Sequence, residues 1–137
     1  MKKRLTLIQM DVHVNDVEYN YNRVQELLSQ SLSENPDIII LPETWNTGFY
    51  PSRELINISD KNGERTKSLL STFAKEHNVN IVGGSVAVAK NDVVFNTSYT
   101  YNRNGELVGE YSKMHGFSPA KEDQYFAGGT HTTHFEL

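Results

Sequence analysis

The sequence contains no cysteine. Without cysteine the chain can form no disulfide and no thiolate metal site, and it carries no thiol nucleophile of its own. This absence fits a reducing compartment, and we expect a cytoplasmic location. For mechanism, the absence means that any covalent step through sulfur requires a residue from outside these 137 residues.

Basic residues and long apolar runs are also scarce. The 13 Lys and Arg are outnumbered by 17 Asp and Glu, and outside Lys2-Lys3-Arg4 the basic residues are scattered. Because a chain with a net charge of -4 does not attract a polyanion, we expect no nucleic-acid partner. The apolar stretch after the basic triplet ends at Asp11, too early for a signal peptide or a membrane span, so we expect neither.

The remaining composition is typical of an ordered domain. Hydrophobic residues make up 37% of the chain and charged residues 22%, and only 4 residues are proline. A chain of this length has the size of one domain or part of one. We therefore treat residues 1–137 as part of a single domain.

The first 41 residues predict a strand, a helix and a second strand. Residues 4–10 are apolar on both faces of an extended chain, which is typical of a strand covered on two sides. Asn15 or Asp16 can cap a helix over residues 17–32, where apolar side chains recur at spacings of three and four. Residues 37–41 form a short β-branched run typical of a central parallel strand. The order predicts a βαβ unit.

The rest of the chain extends this pattern. Residues 42–62 lack periodicity and are expected to form a long loop, and a second amphipathic helix follows over residues 64–77. Three further strands are predicted, the last two joined by a turn at Asn104-Gly105: residues 81–88, 93–101 and 106–111. Alternating strands and helices predict an open α/β sheet, in which ligands bind beyond the carboxyl ends of strands.

Two charged side chains follow predicted strands and are candidates for chemistry. Glu43 comes directly after the run that ends at Leu41, where a carboxylate could act as a general base. Lys113 ends the last predicted strand, where an ammonium could hold a carboxylate or stabilise an oxyanion. Taken alone, each is better explained by a charged side chain in solvent, because charged residues are rarely buried. Position by itself therefore leaves both interpretations open.

Other kinds of site find little support in the sequence. His115, His131 and His134 have no carboxylate or cysteine at the spacing of metal ligands, so we expect no metal site. Gly83-Gly84 and Gly128-Gly129 do not belong to a phosphate-binding pattern, and we expect no cofactor. The sequence also lacks the G-x-S-x-G turn of serine hydrolases.

Several ordered segments together resemble the nitrilase superfamily of carbon-nitrogen hydrolases. Residues 37–43 are similar to the family's strand followed by Pro-Glu, and residues 44–49 to the versions found in omega-amidase-like members. The sequence Gly109-Glu110-Tyr111-Ser112-Lys113-Met114-His115 resembles a Tyr-x-Lys-x-His motif. Two further segments match the family: Ile81-Val82-Gly83-Gly84-Ser85 and Phe95-Asn96-Thr97-Ser98. Singly these motifs are weak, but in combination they are specific.

The resemblance implies an αββα sandwich that dimerises through its helical faces into four layers. The chain would be the N-terminal part of that domain, so the sandwich would be incomplete here. It also implies a Glu-Lys-Cys triad that hydrolyses small amides, with the omega-amides of 2-oxo acids as the most similar substrates. Glu43 would be the base, Lys113 would stabilise the oxyanion, and Glu122 would support the site.

The sequence departs from the family at the nucleophile. The family's cysteine lies beyond the segment equivalent to Phe135-Glu136-Leu137, and this chain has none. Two hypotheses follow: an enzyme fragment that is inactive without a cysteine-bearing continuation, or a non-catalytic binding or assembly module with the same fold. The presence of Glu43, Lys113 and Glu122 favours the fragment.

Overall fold

The computed structural model describes residues 2–137 and contains a mixed seven-stranded sheet. Most of its strands are short, and the hairpin near the end of the chain contributes the longest one. The strands are β1 (Leu5–Leu7), β2 (Ile38–Ile40), β3 (Asp60–Lys61), β4 (Asn80–Val82), β5 (Val86–Lys90), β6 (Val93–Tyr101) and β7 (Leu107–Ser112).

Four α-helices accompany the sheet in the part of the chain that is described. They are α1 (Val17–Ser31), α2 (Leu55–Ile58), α3 (Glu64–His77) and α4 (Glu122–Tyr125), and 3-10 turns occupy Leu32–Glu34 and Ser118–Ala120. Two of these helices, α1 and α3, are long enough to cover a sheet face. None of the helices within residues 2–137 has the length and apolar content that crossing a bilayer requires.

The sheet combines parallel and antiparallel pairing. The strands β1, β2 and β4 run parallel, with Ile39 opposite both Thr6 and Ile81. Both β4 and β5 pair with β6 in the antiparallel sense, so they lie end to end along one side of it. The strand β7 pairs with the other side of β6, as the Asn-Gly turn predicts. The βαβ unit and the α/β class are thus confirmed.

One face of the sheet packs against α1 and α3. The apolar stripes of both helices meet the inward side chains of the strands in one continuous core. Residues at helical spacing share one face of a helix, and alternate residues share one face of a strand. Its fully buried members include Tyr21, Val24, Leu28, Ile39, Trp45, Leu70, Ile81 and Tyr99. Both helices predicted from periodicity are therefore confirmed.

The opposite face of the sheet is covered only in part. Leu5 and Leu7 of β1 are 56% and 69% exposed. The prediction that residues 4–10 form a strand buried on both sides is therefore wrong, because the strand has three residues and only one covered face. At the other end of this face, Leu55 of α2 packs on Ala87 and Val94.

Two further expectations need correction. Residues 42–62 are not one loop, since they contain α2 and β3, and β3 pairs in parallel with Val88 and Ala89 of β5. Strand 81–88 is broken into β4 and β5 by residues 83–85. Elements of two to four residues carry no readable periodicity, so only the tertiary contacts define them.

Asp16, one of the two residues that the sequence offers as a cap, caps α1. Its side-chain oxygen accepts a hydrogen bond from the backbone N–H of Tyr19 at 3.1 Å. We expect Asp16→Ala to lower the free energy of unfolding by about 1 kcal/mol, because the N–H loses its acceptor. Chemical denaturation measures this loss, and Asp16→Asn, which keeps an acceptor, is the control. Equal losses in both variants would contradict the capping role.

Candidate active site

Three separate elements deliver the three charged residues selected from the sequence. Glu43 lies three residues beyond the end of β2, Lys113 follows β7 directly, and Glu122 begins α4. The backbone N–H of Lys113 donates to the carbonyl oxygen of Asn96 at 2.8 Å and so extends the pairing of β7 with β6. Glu43 lies 70 residues before Lys113 in the sequence and Glu122 lies 9 residues after it, and both meet the lysine in the folded chain.

The ammonium of Lys113 lies between the two carboxylates. Its Nζ donates to Glu43 Oε1 at 2.9 Å and to Glu122 Oε2 at 2.8 Å. Distances this short are typical of charge-assisted hydrogen bonds. The structure thus brings together all three residues that the sequence indicated.

Glu122 is the buried member of the trio, with only 1% of its surface exposed. Its Oε2 also accepts a hydrogen bond from the backbone N–H of Phe117 at 2.6 Å, while its Oε1 is buried without a hydrogen-bond partner in residues 2–137. A buried carboxylate without a cation is strongly unfavourable. Lys113 therefore stabilises the buried Glu122 carboxylate, and Glu122 in turn fixes the position of the Lys113 ammonium.

Glu43 is the accessible member, with 44% of its side chain exposed. The oxygen that accepts from Lys113 also accepts from Asn96 Nδ2 at 2.9 Å, and Asn96 is itself buried. The segment Phe95-Asn96-Thr97-Ser98 resembles the family, but nothing in the sequence alone indicates a role for Asn96. An asparagine inside a predicted strand, where that residue is uncommon, was the signal that could have pointed to it.

The pKa of Lys113 reflects two opposing effects. Burial disfavours the ammonium and acts to lower the pKa, while the hydrogen bonds to Glu122 and Glu43 and the charges of both carboxylates raise it. The effect of the two carboxylates is the larger, so the pKa of Lys113 lies above the ordinary value for lysine. Lys113 is therefore a fixed cation at neutral pH.

Two small cavities flank the lysine. One of about 180 Å³ is lined by Lys113, Glu122 and Phe126, and one of about 330 Å³ is lined by Glu43, Ser85 and Lys113. Asn96 lines both. The larger volume is at the lower end of the range for small-molecule sites, so the space suits a small ligand. Within residues 2–137, no group of three or more His, Asp or Glu side chains is placed to hold a metal ion.

The fold and this arrangement define the class of protein. Residues 4–135 match the carbon-nitrogen hydrolase family, and the chain belongs to that family. It is 35% identical, over its whole length, to a 2-oxoglutaramate amidase of Bacillus subtilis, of which it covers 52%. It is 27% identical to an omega-amidase of Saccharomyces cerevisiae, with 85% of this chain and 42% of that protein aligned. The chain spans about half the length of the curated relatives it matches.

Solved structures show the same fold. A CN-hydrolase superfamily protein of Xanthomonas campestris, solved with an arsenic adduct in its active site, matches with a TM-score of 0.81 and 29% identity, covering 94% of this chain and 47% of that one. An amidase of Nesterenkonia sp., solved with butyramide, has a TM-score of 0.79 at 19% identity, covering 94% and 49%. The nitrilase-like fold is thus confirmed, over about half the length of these structures.

Replacing Glu43 tests the contact between Glu43 and Lys113. We expect Glu43→Gln to lower the pKa of Lys113, because the variant removes one of the two anions that stabilise the ammonium. Titration of the Lys113 side chain by NMR measures this, with the signal assigned from Lys113→Met. Glu110→Gln, which removes the partner of Lys90 instead, is the matched control. An unchanged pKa in Glu43→Gln would show that the contact does not form in solution.

The same contact predicts the pH dependence of stability. Because the folded-state pKa of Lys113 is raised, its stabilising contribution is complete below the unfolded value of about 10.4 and is lost as the pH rises through the folded value. Glu43→Gln should therefore destabilise the chain at neutral pH and less so under strongly alkaline conditions. Denaturant unfolding at several pH values measures the difference.

Proposed function

We propose that this chain provides the Glu43, Lys113 and Glu122 part of the active site of an amidase for small omega-amides, such as those of 2-oxo acids. It would be the N-terminal part of a single carbon-nitrogen hydrolase domain. The observation that carries the proposal is the position of Lys113 Nζ, 2.9 Å and 2.8 Å from the two carboxylates, in a chain of this family.

The nucleophile in this proposal is a cysteine from the rest of the polypeptide. Its support is the resemblance set out above and a related structure, an amidase of Nesterenkonia sp. described as modified at its active site cysteine. Glu43 is suited to take the thiol proton, because it is the accessible carboxylate of the trio. The buried Glu122 is less suited to exchange protons with a substrate in the open cavity.

The proposed reaction has two halves. The thiolate sulfur attacks the amide carbon, the tetrahedral intermediate collapses, and ammonia leaves with the proton that Glu43 received, which produces a thioester. Water then attacks the thioester carbon while Glu43 removes a proton from it, and cleavage of the C–S bond releases the carboxylic acid and the thiol. Hydrolysis of one amide thus consumes one water and yields one ammonia.

Lys113 and Glu122 have supporting roles in this scheme. The ammonium of Lys113 stabilises the oxyanion of both tetrahedral intermediates, as a preorganised positive charge does in a site of low dielectric. Glu122 keeps the lysine in place, because its Oε2 accepts hydrogen bonds from both Lys113 Nζ and the Phe117 N–H. The pair is therefore prepared before substrate binds and needs no rearrangement during the reaction.

The substrate class and the assembly rest on likeness to relatives. The 2-oxoglutaramate amidase of Bacillus subtilis, at 35% identity, and the similarity of residues 44–49 to omega-amidase-like proteins support a small omega-amide as substrate. A homodimer formed through the helical faces is proposed on the family resemblance alone. In the alternative, a non-catalytic module, Lys113 would be needed only to neutralise the buried Glu122, so the accessible Glu43 beside it supports the enzyme.

Ammonia release from 2-oxoglutaramate tests the proposal. We expect no turnover by the purified chain, because the attacking sulfur is absent. We expect turnover when the chain is fused to the C-terminal half, with its cysteine, of the Bacillus subtilis relative. Glu43→Gln in that fusion should reduce the rate by orders of magnitude, and Glu110→Gln is the matched acid control.

Two results would contradict the proposal. Turnover by the purified chain that Glu43→Gln abolishes would require another attacking group. A folded fusion that hydrolyses no amide from a panel of short primary amides would favour the non-catalytic module.

A further inference from the structure

The break between β4 and β5 has no role in the function proposed above. Residues 83–85 interrupt what would otherwise be one strand along β6, and the two flanking strands both pair with β6. The sequence Gly83-Gly84-Ser85 matched the family without any role for Ser85. In the folded chain, the segment that carries Glu43 lies against this break.

Ser85 forms hydrogen bonds on both sides of Glu43. Its backbone N–H donates to the carbonyl oxygen of Pro42 at 3.1 Å, and its carbonyl oxygen accepts from the N–H of Trp45 at 3.2 Å. Its side-chain Oγ accepts from the N–H of Thr44 at 3.0 Å. The residue thus contacts the segment before Glu43 and the two residues after it.

Gly84 permits this close approach. It has a φ of +59°, and a Cβ there would lie 1.9 Å from the carbonyl oxygen of Pro42 and 2.6 Å from that of Leu41. Any side chain at this position would displace the backbone immediately before Glu43. The glycine therefore lets the neighbouring Ser85 reach the segment.

The backbone after Glu43 is strained. Thr44 is a β-branched residue with a φ of +46°, a conformation that such residues rarely adopt. A strained residue persists only where its surroundings determine its conformation, and Thr44 is almost fully buried. The Ser85 Oγ accepts the only hydrogen bond that the Thr44 N–H donates within residues 2–137. The amide of this strained residue is thus held by the Ser85 hydroxyl, while its carbonyl oxygen accepts from the N–H groups of Thr47 and Gly48.

We propose that Ser85 is a positioning residue that acts through Glu43. Its Oγ fixes the Thr44 amide and so directs the Glu43 carboxylate toward Lys113. Asn96 Nδ2 donates to Glu43 Oε1 at 2.9 Å, so Glu43 is held both through the adjacent backbone and at its carboxylate. The catalytic consequence of this arrangement rests on the proposed function, but the positioning does not.

The positioning can be tested on the chain as it is. We expect Ser85→Ala to lower the pKa of Lys113 in the direction that Glu43→Gln lowers it, because the carboxylate is no longer held beside the ammonium. In the double variant with Glu43→Gln, Ser85→Ala should cause no further change. NMR titration of Lys113 measures all four members of this cycle.

Two variants make the test specific. Ser85→Thr keeps the hydroxyl and should retain the Lys113 pKa of the parent chain. Ser31→Ala removes a different hydrogen-bonded serine, at the end of α1, and should leave the Lys113 pKa unchanged. The proposal would be overturned if Ser85→Ala left the Lys113 pKa unchanged. It would also be overturned if Ser85→Ala shifted that pKa equally in the chain that already carries Glu43→Gln. A Ser85→Ala chain that fails to fold would overturn it too, since that result assigns the serine a structural role.

A kinetic measurement separates this inference from the proposed function. In the fusion with a cysteine-bearing half, Ser85→Ala should reduce kcat by up to about 100-fold with little change in KM, because a misplaced base slows the reaction without removing a substrate contact. Ser85→Thr should restore kcat. A fusion that never turns over would count against the proposed function alone, while the titration still decides the role of Ser85. An unchanged kcat in an active Ser85→Ala fusion would overturn the positioning role.

Discussion

The site depends on one lysine ammonium held between two carboxylates. Lys113 neutralises the buried Glu122 and at the same time fixes the accessible Glu43, with Nζ distances of 2.8 Å and 2.9 Å. One cation cannot balance two anions, so the trio carries a formal charge of -1 when both acids are ionised. In the proposed mechanism the proton taken up by Glu43 removes that excess charge.

Sheet topology makes this contact possible. The segment after β2 and the end of β7 lie on opposite sides of β6, and β6 provides Asn96 between them. The break between β4 and β5 receives the backbone around Glu43, because Gly84 has no side chain to obstruct it. The acid and the lysine are 70 residues apart in sequence, and the strand order brings them together.

The three charged residues of the site were recognisable in the sequence, but the neutral residues that hold Glu43 in place were not. Glu43 and Lys113 stood out as charges at the ends of predicted strands, and the family resemblance added Glu122. Asn96 and Ser85 were only members of matching segments, because an amide or a hydroxyl reveals its role through a partner. Those partners, Glu43 and Thr44, are distant in sequence, and no local pattern links them.

The sequence by itself determined the elements whose information is local. Apolar spacing specified α1 and α3, Asp16 specified a helix start, and Asn-Gly specified the hairpin, because each signal acts over a few residues. It also determined the absence of a thiol. Only the tertiary structure decided that β1 is covered on one face, that residues 83–85 interrupt a strand, and that Lys113 contacts both acids. These features arise from contacts between segments far apart in the chain, and such contacts form only when the whole sheet assembles.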